Sequence, residues 1–276
     1  MTQIIDGKTI ASRIYKDIAE LTAKLKPKPK ISLAAIFDSN CAEGKSYVNV
    51  ISRNAESLGI FLQKFEFAEP EFESTLAIIQ HLNASKHCSA ILLVKPFLDD
   101  EKFTMLANSI EPKKDVDCLS AYNLGLFVQG RAKYKPAVVE AVFEVMKEID
   151  FNLQGKDVCI VGSGRVGSLL VQALSQFATL TMCNKYTKNL EKKTSKADLL
   201  ISCAGVPGLI TEDNIKEGAT IIDIGTTLVE GKLFGDVDLE SVKSKASFVT
   251  PVPNGIGPIT AACLLRNVVR AYVDKG

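Results

Sequence analysis

The chain alternates between short apolar runs and longer segments with the periodicity of a helix. Three runs rich in β-branched and aromatic residues have the length of strands: KISLAAIF (30–37), IFLQKFEF (60–67) and SAILLVKPF (89–97). Between them, apolar residues recur every three or four positions in segments 44–58 and 72–86, as they do on one face of a helix. Short strands separated by helices of this length pair in parallel, so this half of the chain predicts an α/β layer.

A turn-rich break divides the chain near its middle. A short helix near 101–109 and a mixed segment up to residue 135 precede a helix that opens at Pro136 and ends near Ile149. The stretch DFNLQGKD (150–157) then combines turn residues with a loss of apolar periodicity, which indicates a domain boundary. We therefore predict two domains.

A second alternating series follows this boundary. Its predicted strands cover 157–161, 179–183, 198–202, 219–224 and 247–250, and its predicted helices cover 165–176, 187–194 and 259–273. The chain is therefore predicted to be an α/β protein with two domains and parallel sheets.

Composition argues against several classes of function. The net charge is +1, only 7% of residues are aromatic and Trp is absent, so neither nucleic acid nor a membrane surface is an expected partner. The seven cysteines are scattered and odd in number, which fits buried thiols in a reducing compartment better than a disulfide framework. The spacing of His, Cys and carboxylates predicts no metal site. No apolar run reaches the length of a signal or membrane segment, so a cytoplasmic protein is expected.

One glycine-rich turn carries the strongest local signal. Gly162, Gly164 and Gly167 form G-x-G-x-x-G between a predicted strand and a predicted helix, the setting in which this motif binds the pyrophosphate of a dinucleotide. The first glycine permits the turn, the second lets the backbone approach the phosphates, and the third lets helix and strand pack closely. A glycine-rich turn without a ligand is the alternative.

The segment after the next predicted strand bears on the choice of dinucleotide. An NAD-binding chain usually places an acidic residue there, against the ribose hydroxyls. This chain reads MCNKYTKN, with Asn184 and Lys185 and no acid. A lysine favours a phosphate on the ribose 2′ oxygen, so NADP is predicted over NAD. The alternative is a solvated loop lysine.

Six sequence blocks carry a resemblance to a known family. They are, in order, KDVD (114–117), GKDVCIVG (155–162), ADLLISCAGVPGLI (197–210), IKEGATIIDIG (215–225), GDVDLESV (235–242) and TPVPNGIGPIT (250–260). Together with IIDGKTIA near the start, they resemble the methylenetetrahydrofolate dehydrogenase/cyclohydrolase family over essentially the whole chain. The resemblance implies an enzyme of one-carbon metabolism that oxidises methylenetetrahydrofolate with a nicotinamide cofactor. Many members also hydrolyse the methenyl product.

The resemblance also implies an architecture. Residues 1–149 with 257–276 would form a folate-binding catalytic domain, and residues 150–256 would form a Rossmann-type dinucleotide-binding domain. The last helix would pack back onto the first domain, and substrate and cofactor would meet in the cleft between the two. Members of the family are similar in forming homodimers, so a homodimer is expected.

The expected folate site departs from the family's pattern. Tyr47 matches a tyrosine that the family follows, four residues later, with a lysine, but this chain has Ile51 there. The glutamine that pairs with that lysine is replaced by Val94, with Lys95 beside it, and Asp117 matches the aspartate of the family's KDVDG block. The candidate catalytic residues are therefore Tyr47, Asp117 and Lys95. With Tyr47 and Asp117, Ile51 and Val94 are the candidate substrate-binding residues of the folate pocket.

The missing lysine affects the two reactions differently. Oxidation requires positioning, which Asp117 and Tyr47 can supply at the hydrogen-bonding edge and the ring system of a pterin. Hydrolysis requires a proton to leave the attacking water, and a positioned acid or base contributes about 10²–10⁴-fold to such steps. We therefore predict a dehydrogenase with weak or absent cyclohydrolase activity. The alternatives are a bifunctional enzyme in which Lys95 or a water replaces the lysine, and a non-catalytic folate or dinucleotide binder.

The resemblance extends to further positions around the dinucleotide and the substrate. The glycine loop is one residue shorter than the family's, and Ser163 stands where the family has an arginine, so Arg165 is the candidate phosphate contact, with Val166 next to it. The remaining cofactor-binding candidates are Ala204, Gly205, Gly225, Thr226, Thr227 and Thr260. The candidate substrate-side turn consists of Pro253, Asn254 and Gly255.

Overall fold

The computed structural model describes residues 2–25 and 30–274 and forms two compact units. The six-stranded unit comprises Met1–Ile10 with Val138–Thr260, and the three-stranded unit comprises Ala11–Ala137 with Ala261–Gly276. Each unit is an α/β layer, as the apolar pattern predicts.

The division between the units differs from the predicted boundary at 149/150. Residues 138–149 belong to the six-stranded unit, as does the start of the chain up to Ile10. The start belongs there because the strand Gln3–Ile4 pairs in parallel with Phe248–Val249 of the larger sheet. A two-residue strand is too short to carry a readable apolar pattern. The assignment of folate and dinucleotide to ranges 1–149 with 257–276 and 150–256 stays a prediction.

Strands and helices alternate along most of the described residues. The strands are β1 (Gln3–Ile4), β2 (Ser32–Asp38), β3 (Phe61–Phe67), β4 (Ala90–Leu93), β5 (Asp157–Val161), β6 (Thr179–Cys183), β7 (Leu199–Ser202), β8 (Thr220–Asp223), β9 (Thr227–Val229), β10 (Lys232–Phe234) and β11 (Phe248–Val249). The helices are α1 (Gly7–Lys24), α2 (Ala42–Ser57), α3 (Phe72–Ala84), α4 (Asp100–Ser109), α5 (Ala121–Val128), α6 (Ala137–Glu148), α7 (Arg165–Leu174), α8 (Leu190–Thr194), α9 (Leu239–Val242) and α10 (Ile256–Val273), with a 3₁₀ turn at Glu212–Asn214.

The predicted elements lie close to the observed ones, with informative exceptions. β5 and β6 occupy the predicted residues, whereas β4 ends at Leu93, short of the predicted 97, because Pro96 cannot donate to a sheet. α10 begins at Ile256, before the predicted 259, because Pro258 lies in its first turn, where a helix needs no N–H from it. The pattern did not predict α1, α5, α9 or the β9–β10 hairpin.

The six-stranded sheet has the strand order β1-β11-β8-β7-β5-β6, and every neighbouring pair is parallel. From β5 the chain runs outward to β6 and then returns to β7 on the other side of β5, so the order reverses between β5 and β7. In open α/β sheets, ligands bind at the carboxyl ends of the strands that flank such a reversal. The loops after β5 and β7 are therefore where this unit is expected to bind a ligand.

The smaller sheet has the order β3-β2-β4, again parallel. β2 is its central strand, and Leu33 to Phe37 are all buried, as the apolar run predicts. Helices α3 and α4 pack on this sheet around a core that includes Ile36, Ile79, Leu93, Phe97, Phe103 and Leu106. This packing fixes the residues at the end of β4, among them Val94 and Lys95.

Among residues 2–25 and 30–274, no helix combines the length and apolar character that crossing a bilayer requires. The same residues contain no group of three or more His, Cys, Asp and Glu side chains that could hold a metal ion.

Candidate functional site

The glycine-rich turn joins β5 to α7 at the reversal of the larger sheet. Gly162 has a φ of +116°, and a Cβ there would lie 2.5 Å from the carbonyl oxygen of Cys203 in the loop after β7. A Cβ at Gly167 would lie 1.9 Å from the carbonyl oxygen of Gly162. A Cβ at Gly164 would meet nothing within 4 Å. The first and third glycines therefore allow close packing, and the second faces open space where a ligand can approach.

A cavity of about 530 Å³ opens in front of this turn. Its lining comes from the loops after β5, β6 and β7, and includes Ser163, Asn184, Lys185, Tyr186, Ala204 and Val206. The lining residues include one cation, Lys185, and no carboxylate. The N-terminus of α7 opens beside the same loop, and its free N–H groups and dipole favour phosphate. The cavity, the N–H groups at the start of α7 and the positive charge of Lys185 thus fit the phosphates of a dinucleotide.

The loop after β6 is fixed by its own hydrogen bonds. The Asn184 N–H donates to Thr187 Oγ1 at 2.9 Å, and the Tyr186 N–H donates to Asn184 Oδ1 at 3.0 Å. Lys185 Nζ lies 5.1 Å from the ring centroid of Tyr186, which is 79% exposed. Lys185 therefore stands on a hydrogen-bonded turn at the cavity, and Tyr186 is a lining residue that the sequence did not single out.

Several of the other predicted cofactor residues lie on α7 and on the segments after β7 and β8. Arg165, Val166 and Gly167 form the first turn of α7. The loops that carry Gly205 and Thr227 meet, since the Thr227 hydroxyl donates to the Gly205 carbonyl at 3.3 Å. None of these contacts involves a cofactor, so a cofactor-binding role for these five residues stays a prediction.

The rest of the predicted cofactor set makes local contacts. Thr226 donates its hydroxyl to the carbonyl of Ile224 at 3.4 Å, and Thr260 donates to the carbonyl of Ile256 at 3.0 Å within α10. Gly225 donates its N–H to Asp223 at 3.0 Å. The cofactor roles of Thr226, Thr260 and Gly225 also stay predictions.

The predicted substrate-side turn, Pro253–Gly255, packs against the start of α1. The Gly7 N–H donates to the Asn254 carbonyl at 2.9 Å, and a Cβ at Gly7 would lie 1.8 Å from the Gly255 carbonyl oxygen. Asn254 has a φ of +77°, a conformation that asparagine tolerates better than most residues. Asn254 therefore meets the backbone requirement of this turn without a glycine.

In the three-stranded unit, α2 presents one buried face that contains Gly44, Val48, Ile51 and Ala55. A Cβ at Gly44 would lie 3.4 Å from Val94 Cγ1, so Val94 packs against this face. Ile51 is fully buried and Val94 nearly so. Ile51 and Val94 therefore both lie on the inner side of α2, and their role in a folate pocket stays a prediction.

Tyr47 lies beside that face and close to Asp117, which is 70 residues further along the chain. Burial, and next the negative charge of Asp117, raise the pKa of the Tyr47 hydroxyl well above its usual range. Asp117 Oδ1 also accepts the N–H of Ala137 at 2.8 Å, at the start of α6. The structure thus brings together the two residues on which the predicted folate site depends.

Two further side chains join Tyr47 and were not predicted. Cys263 on α10 and Tyr15 on α1 lie close enough to add to the rise in the pKa of the Tyr47 hydroxyl. The Tyr15 hydroxyl oxygen is buried and has no hydrogen-bond partner within the described ranges, and burial raises the pKa of Tyr15 to about 12. Neither residue stands in a block that carries the resemblance to the family, and α1 was not predicted, so only the folded chain reveals their position.

Lys95 has its own partners. Its ammonium group forms an ion pair with Asp100 in the first turn of α4 and lies 5.2 Å from the ring centroid of Phe103. Its side chain is 45% exposed, and it is not among the groups that act on the pKa of Tyr47. A catalytic role for Lys95 stays a prediction, and it would require the ammonium group to leave Asp100.

Comparison with known proteins decides the family. A family model described as the catalytic domain of tetrahydrofolate dehydrogenase/cyclohydrolase matches residues 5–117, and the NAD(P)-binding domain of the same family matches residues 136–275. The chain belongs to the tetrahydrofolate dehydrogenase/cyclohydrolase family. The resemblance inferred from the sequence blocks is thereby confirmed, and the second matched domain assigns a nicotinamide dinucleotide as cofactor.

Relatives of this tetrahydrofolate dehydrogenase/cyclohydrolase chain match over nearly its full length. It is 38% identical over 275 residues to the bifunctional protein FolD of Fusobacterium nucleatum, covering 98% of this chain and 97% of the relative. The Campylobacter jejuni FolD crystal structure matches with a TM-score of 0.92, 31% identity and complete coverage of both chains. A Trypanosoma brucei FolD structure, complexed with NADP cofactor and an inhibitor, matches with a TM-score of 0.93 and 28% identity, covering 99% of this chain and 98% of that one. These likenesses confirm the predicted two-domain α/β fold with a Rossmann-type C-terminal sheet.

Proposed function

We propose that the protein oxidises methylenetetrahydrofolate to methenyltetrahydrofolate with NADP, and that it hydrolyses the methenyl product slowly or not at all. The observation that carries the oxidation is the approach of Asp117 to Tyr47 in the three-stranded unit. A reduced-nicotinamide absorbance assay with methylenetetrahydrofolate and either dinucleotide tests it. Absence of turnover with both NADP and NAD would favour the non-catalytic binder instead.

The residues have distinct tasks in the oxidation. A bound nicotinamide dinucleotide supplies the hydride acceptor. The carboxylate of Asp117 accepts adjacent N–H donors of the pterin ring, which fixes the orientation of the substrate. Tyr47 packs beside the ring system, and its raised pKa keeps its hydroxyl protonated and able to donate a hydrogen bond. No protein group has to transfer a proton in this step, so the missing lysine does not prevent it.

Hydrolysis makes a demand that this site does not meet. Water must lose a proton as it attacks, and a ring nitrogen must leave. Ile51 and Val94 occupy the positions of the family's lysine and glutamine, and both side chains are aliphatic and buried. The ammonium group of Lys95 is paired with Asp100. These observations support a dehydrogenase in which the second reaction is not accelerated.

The bifunctional enzyme is the second candidate. It is favoured by the relatives from Fusobacterium nucleatum and Campylobacter jejuni, which are described as bifunctional. In that case Lys95 would exchange Asp100 for the folate site, or an ordered water would take the place of the lysine. Hydrolysis of methenyltetrahydrofolate above the spontaneous rate distinguishes the two candidates.

Replacement of Lys185 is expected to weaken the preference for NADP. In Lys185→Ala, kcat/KM for NADP should fall roughly 10- to 150-fold, because a hydrogen bond to a charged group contributes about 1.5–3 kcal/mol. NAD lacks the 2′-phosphate, so kcat/KM for NAD should change little. Initial rates with each dinucleotide at saturating methylenetetrahydrofolate provide the measurement.

Lys188→Ala is the matched control for this experiment. Lys188 lies three residues further along the same segment, carries the same charge and does not line the dinucleotide cavity. Its replacement should leave both constants unchanged. Equal losses for NADP and NAD in Lys185→Ala would contradict a contact with the 2′-phosphate.

The protein is also expected to form a homodimer, as the family resemblance implies. β3 is hydrogen-bonded to β2 on one side and lies at the edge of the smaller sheet, and Phe61 at its start is 67% exposed. Exposed sheet edges of this kind are available for association. Light scattering coupled to gel filtration should give twice the chain mass of 29.9 kDa. A mass of one chain across the working concentrations would refute the dimer.

A further inference from the structure

Two buried carboxyl groups lie behind the dinucleotide cavity. Asp223 ends β8 and is 2% exposed, and Asp236 follows β10 and is 0% exposed. Neither residue is among the candidates that the sequence offers for the site. Buried carboxylates are costly unless hydrogen bonds compensate them, so their partners indicate what they do.

Three hydrogen bonds to the Asp236 carboxylate come from one loop. Its Oδ2 accepts the Ser202 hydroxyl and the Ala204 N–H, both at 2.7 Å, and its Oδ1 accepts the Val206 N–H at 2.8 Å. Ala204 and Val206 line the dinucleotide cavity. Cys203, between these donors, is the residue whose carbonyl oxygen approaches Gly162. One carboxylate therefore fixes the wall of the cavity that faces the glycine-rich turn.

Asp223 in turn holds the backbone that carries Asp236. Its Oδ1 accepts the N–H groups of Gly225 at 3.0 Å and Asp236 at 3.2 Å, and its Oδ2 accepts the Val237 N–H at 2.9 Å. The larger sheet thus supports Asp223 at the end of β8, Asp223 supports Asp236, and Asp236 supports the loop after β7.

Two glycines leave room for these carboxyl groups. A Cβ at Gly225 would lie 2.1 Å from Cγ of Asp236, and a Cβ at Gly235 would lie 2.0 Å from Oδ2 of Asp223. No other residue would fit at either position without displacing a carboxylate. The segments after β8 and β10 therefore need a glycine at these two positions so that the carboxyl groups can be accommodated.

We propose that Asp236 is a positioning residue for the dinucleotide, acting by holding the Ser202–Val206 loop against the glycine-rich turn, with Asp223 as its support. The proposal rests on the proposed function to the extent that the six-stranded unit binds NADP or NAD. Asp236 acts through the loop, because its carboxylate already accepts three hydrogen bonds from that loop.

Two carboxyl groups so close together must limit their repulsion. Burial, and also the charge of Asp236, raise the pKa of Asp223 to about 7, against the opposing effect of its N–H donors. Asp223 is therefore partly protonated near neutral pH, which reduces the repulsion between the pair.

Asp236→Asn tests the proposal with little change in shape. The amide has one acceptor oxygen, so its NH₂ group must face either the Val206 N–H or the Ser202 and Ala204 donors. The Kd for NADP, measured by calorimetry without folate, should rise about tenfold or more. In turnover, KM for NADP should rise by a similar factor, while kcat at saturating NADP should stay within about threefold.

Asp238→Asn is the matched control. Asp238 lies two residues away and caps α9, accepting the Ser241 N–H at 3.1 Å. Asparagine caps a helix as well as aspartate does, so the same charge change should leave the Kd for NADP unaltered. Thermal melting of both variants establishes that they are folded.

The outcomes are decisive in each case. A folded Asp236→Asn variant with an unchanged Kd for NADP would overturn the proposal. A fall of about tenfold or more in kcat with no change in KM for NADP would also overturn it. If Asp236→Asn does not fold, Ser202→Ala removes one donor and should raise the Kd about two- to fivefold; an unchanged value would overturn the proposal. If the wild-type protein binds NADP but does not oxidise methylenetetrahydrofolate, the proposed function is refuted and the role of Asp236 is not. If the wild-type protein binds neither dinucleotide, both proposals are refuted.

Discussion

Methenyltetrahydrofolate added to the wild-type protein should disappear at its spontaneous rate, while methylenetetrahydrofolate is oxidised in a parallel assay. A positioned acid or base contributes about 10²–10⁴-fold to such a hydrolysis, and Ile51 and Val94 supply neither. The measurement is the loss of methenyl absorbance with and without protein, in a buffer that does not itself catalyse the reaction. The oxidation assay on the same sample shows that the folate site is intact.

A pair of substitutions can separate the explanations for this result. Ile51 is fully buried, so Ile51→Lys alone should destabilise the fold by about 3–5 kcal/mol, because it leaves an unpaired buried charge. Val94→Gln added to it provides an acceptor for the ammonium group, so the double variant should recover stability and gain hydrolysis of at least about tenfold over the spontaneous rate. Hydrolysis by the wild-type protein well above background would show that Ile51 has been misinterpreted. If Lys95→Ala then removed that activity, Lys95 would be the replacement group.

Asp117→Asn should abolish most of the oxidation. The amide presents an NH₂ group to one of the pterin N–H donors, so at least one charge-assisted hydrogen bond is lost and one donor faces another. With about 1.5–3 kcal/mol for each bond to a charged group, kcat/KM for methylenetetrahydrofolate should fall by about 10²-fold or more. The asparagine oxygen can still accept the Ala137 N–H at the start of α6, so the fold should be retained.

Asp99→Asn is the control for Asp117→Asn. Asp99 also caps a helix in the three-stranded unit, accepting the Lys102 N–H at 2.8 Å, but it is exposed at the start of α4. Its replacement should leave the oxidation rate unchanged. The Kd for NADP should be unaffected by either substitution. An Asp117→Asn variant with wild-type kcat/KM would remove Asp117 from the substrate site.

The pattern of the sequence predicted the sheet elements that are long and apolar. β5 falls on the predicted residues because an apolar run bounded by turn residues leaves little choice of register. α5 was missed because it is a short helix with a glycine at 125 and no charged face, so its period spans too few turns to be read. β1 was missed because its partner, β11, lies more than 240 residues away and only that pairing makes it a strand.

Site residues, too, could be predicted only where the signal lies in neighbouring positions of the sequence. The glycine spacing predicted a dinucleotide loop because its function depends on residues that are adjacent in sequence. Tyr47 and Asp117 were found through family resemblance, whereas Tyr15 and Cys263 were not, because they reach Tyr47 only through the packing of α1 and α10. Asp223 and Asp236 left a weak signal, since each stands within two residues of a glycine near the end of a strand. That signal does not say that the two carboxyl groups meet.

The interleaving of the two units has a consequence for protein engineering. Because β1 completes the larger sheet from the opposite end of the gene, a recombinant fragment that starts at residue 138 would lack one edge strand and leave β11 uncovered. A fragment that stops at residue 137 would lack the part of α10 from Ala261 onward, including Asn267, whose amide donates to the carbonyls of Val116 and Lys135 at 3.0 Å. Exchange of either half with a homologue therefore calls for joints at three places in the reading frame, near residues 10, 137 and 260.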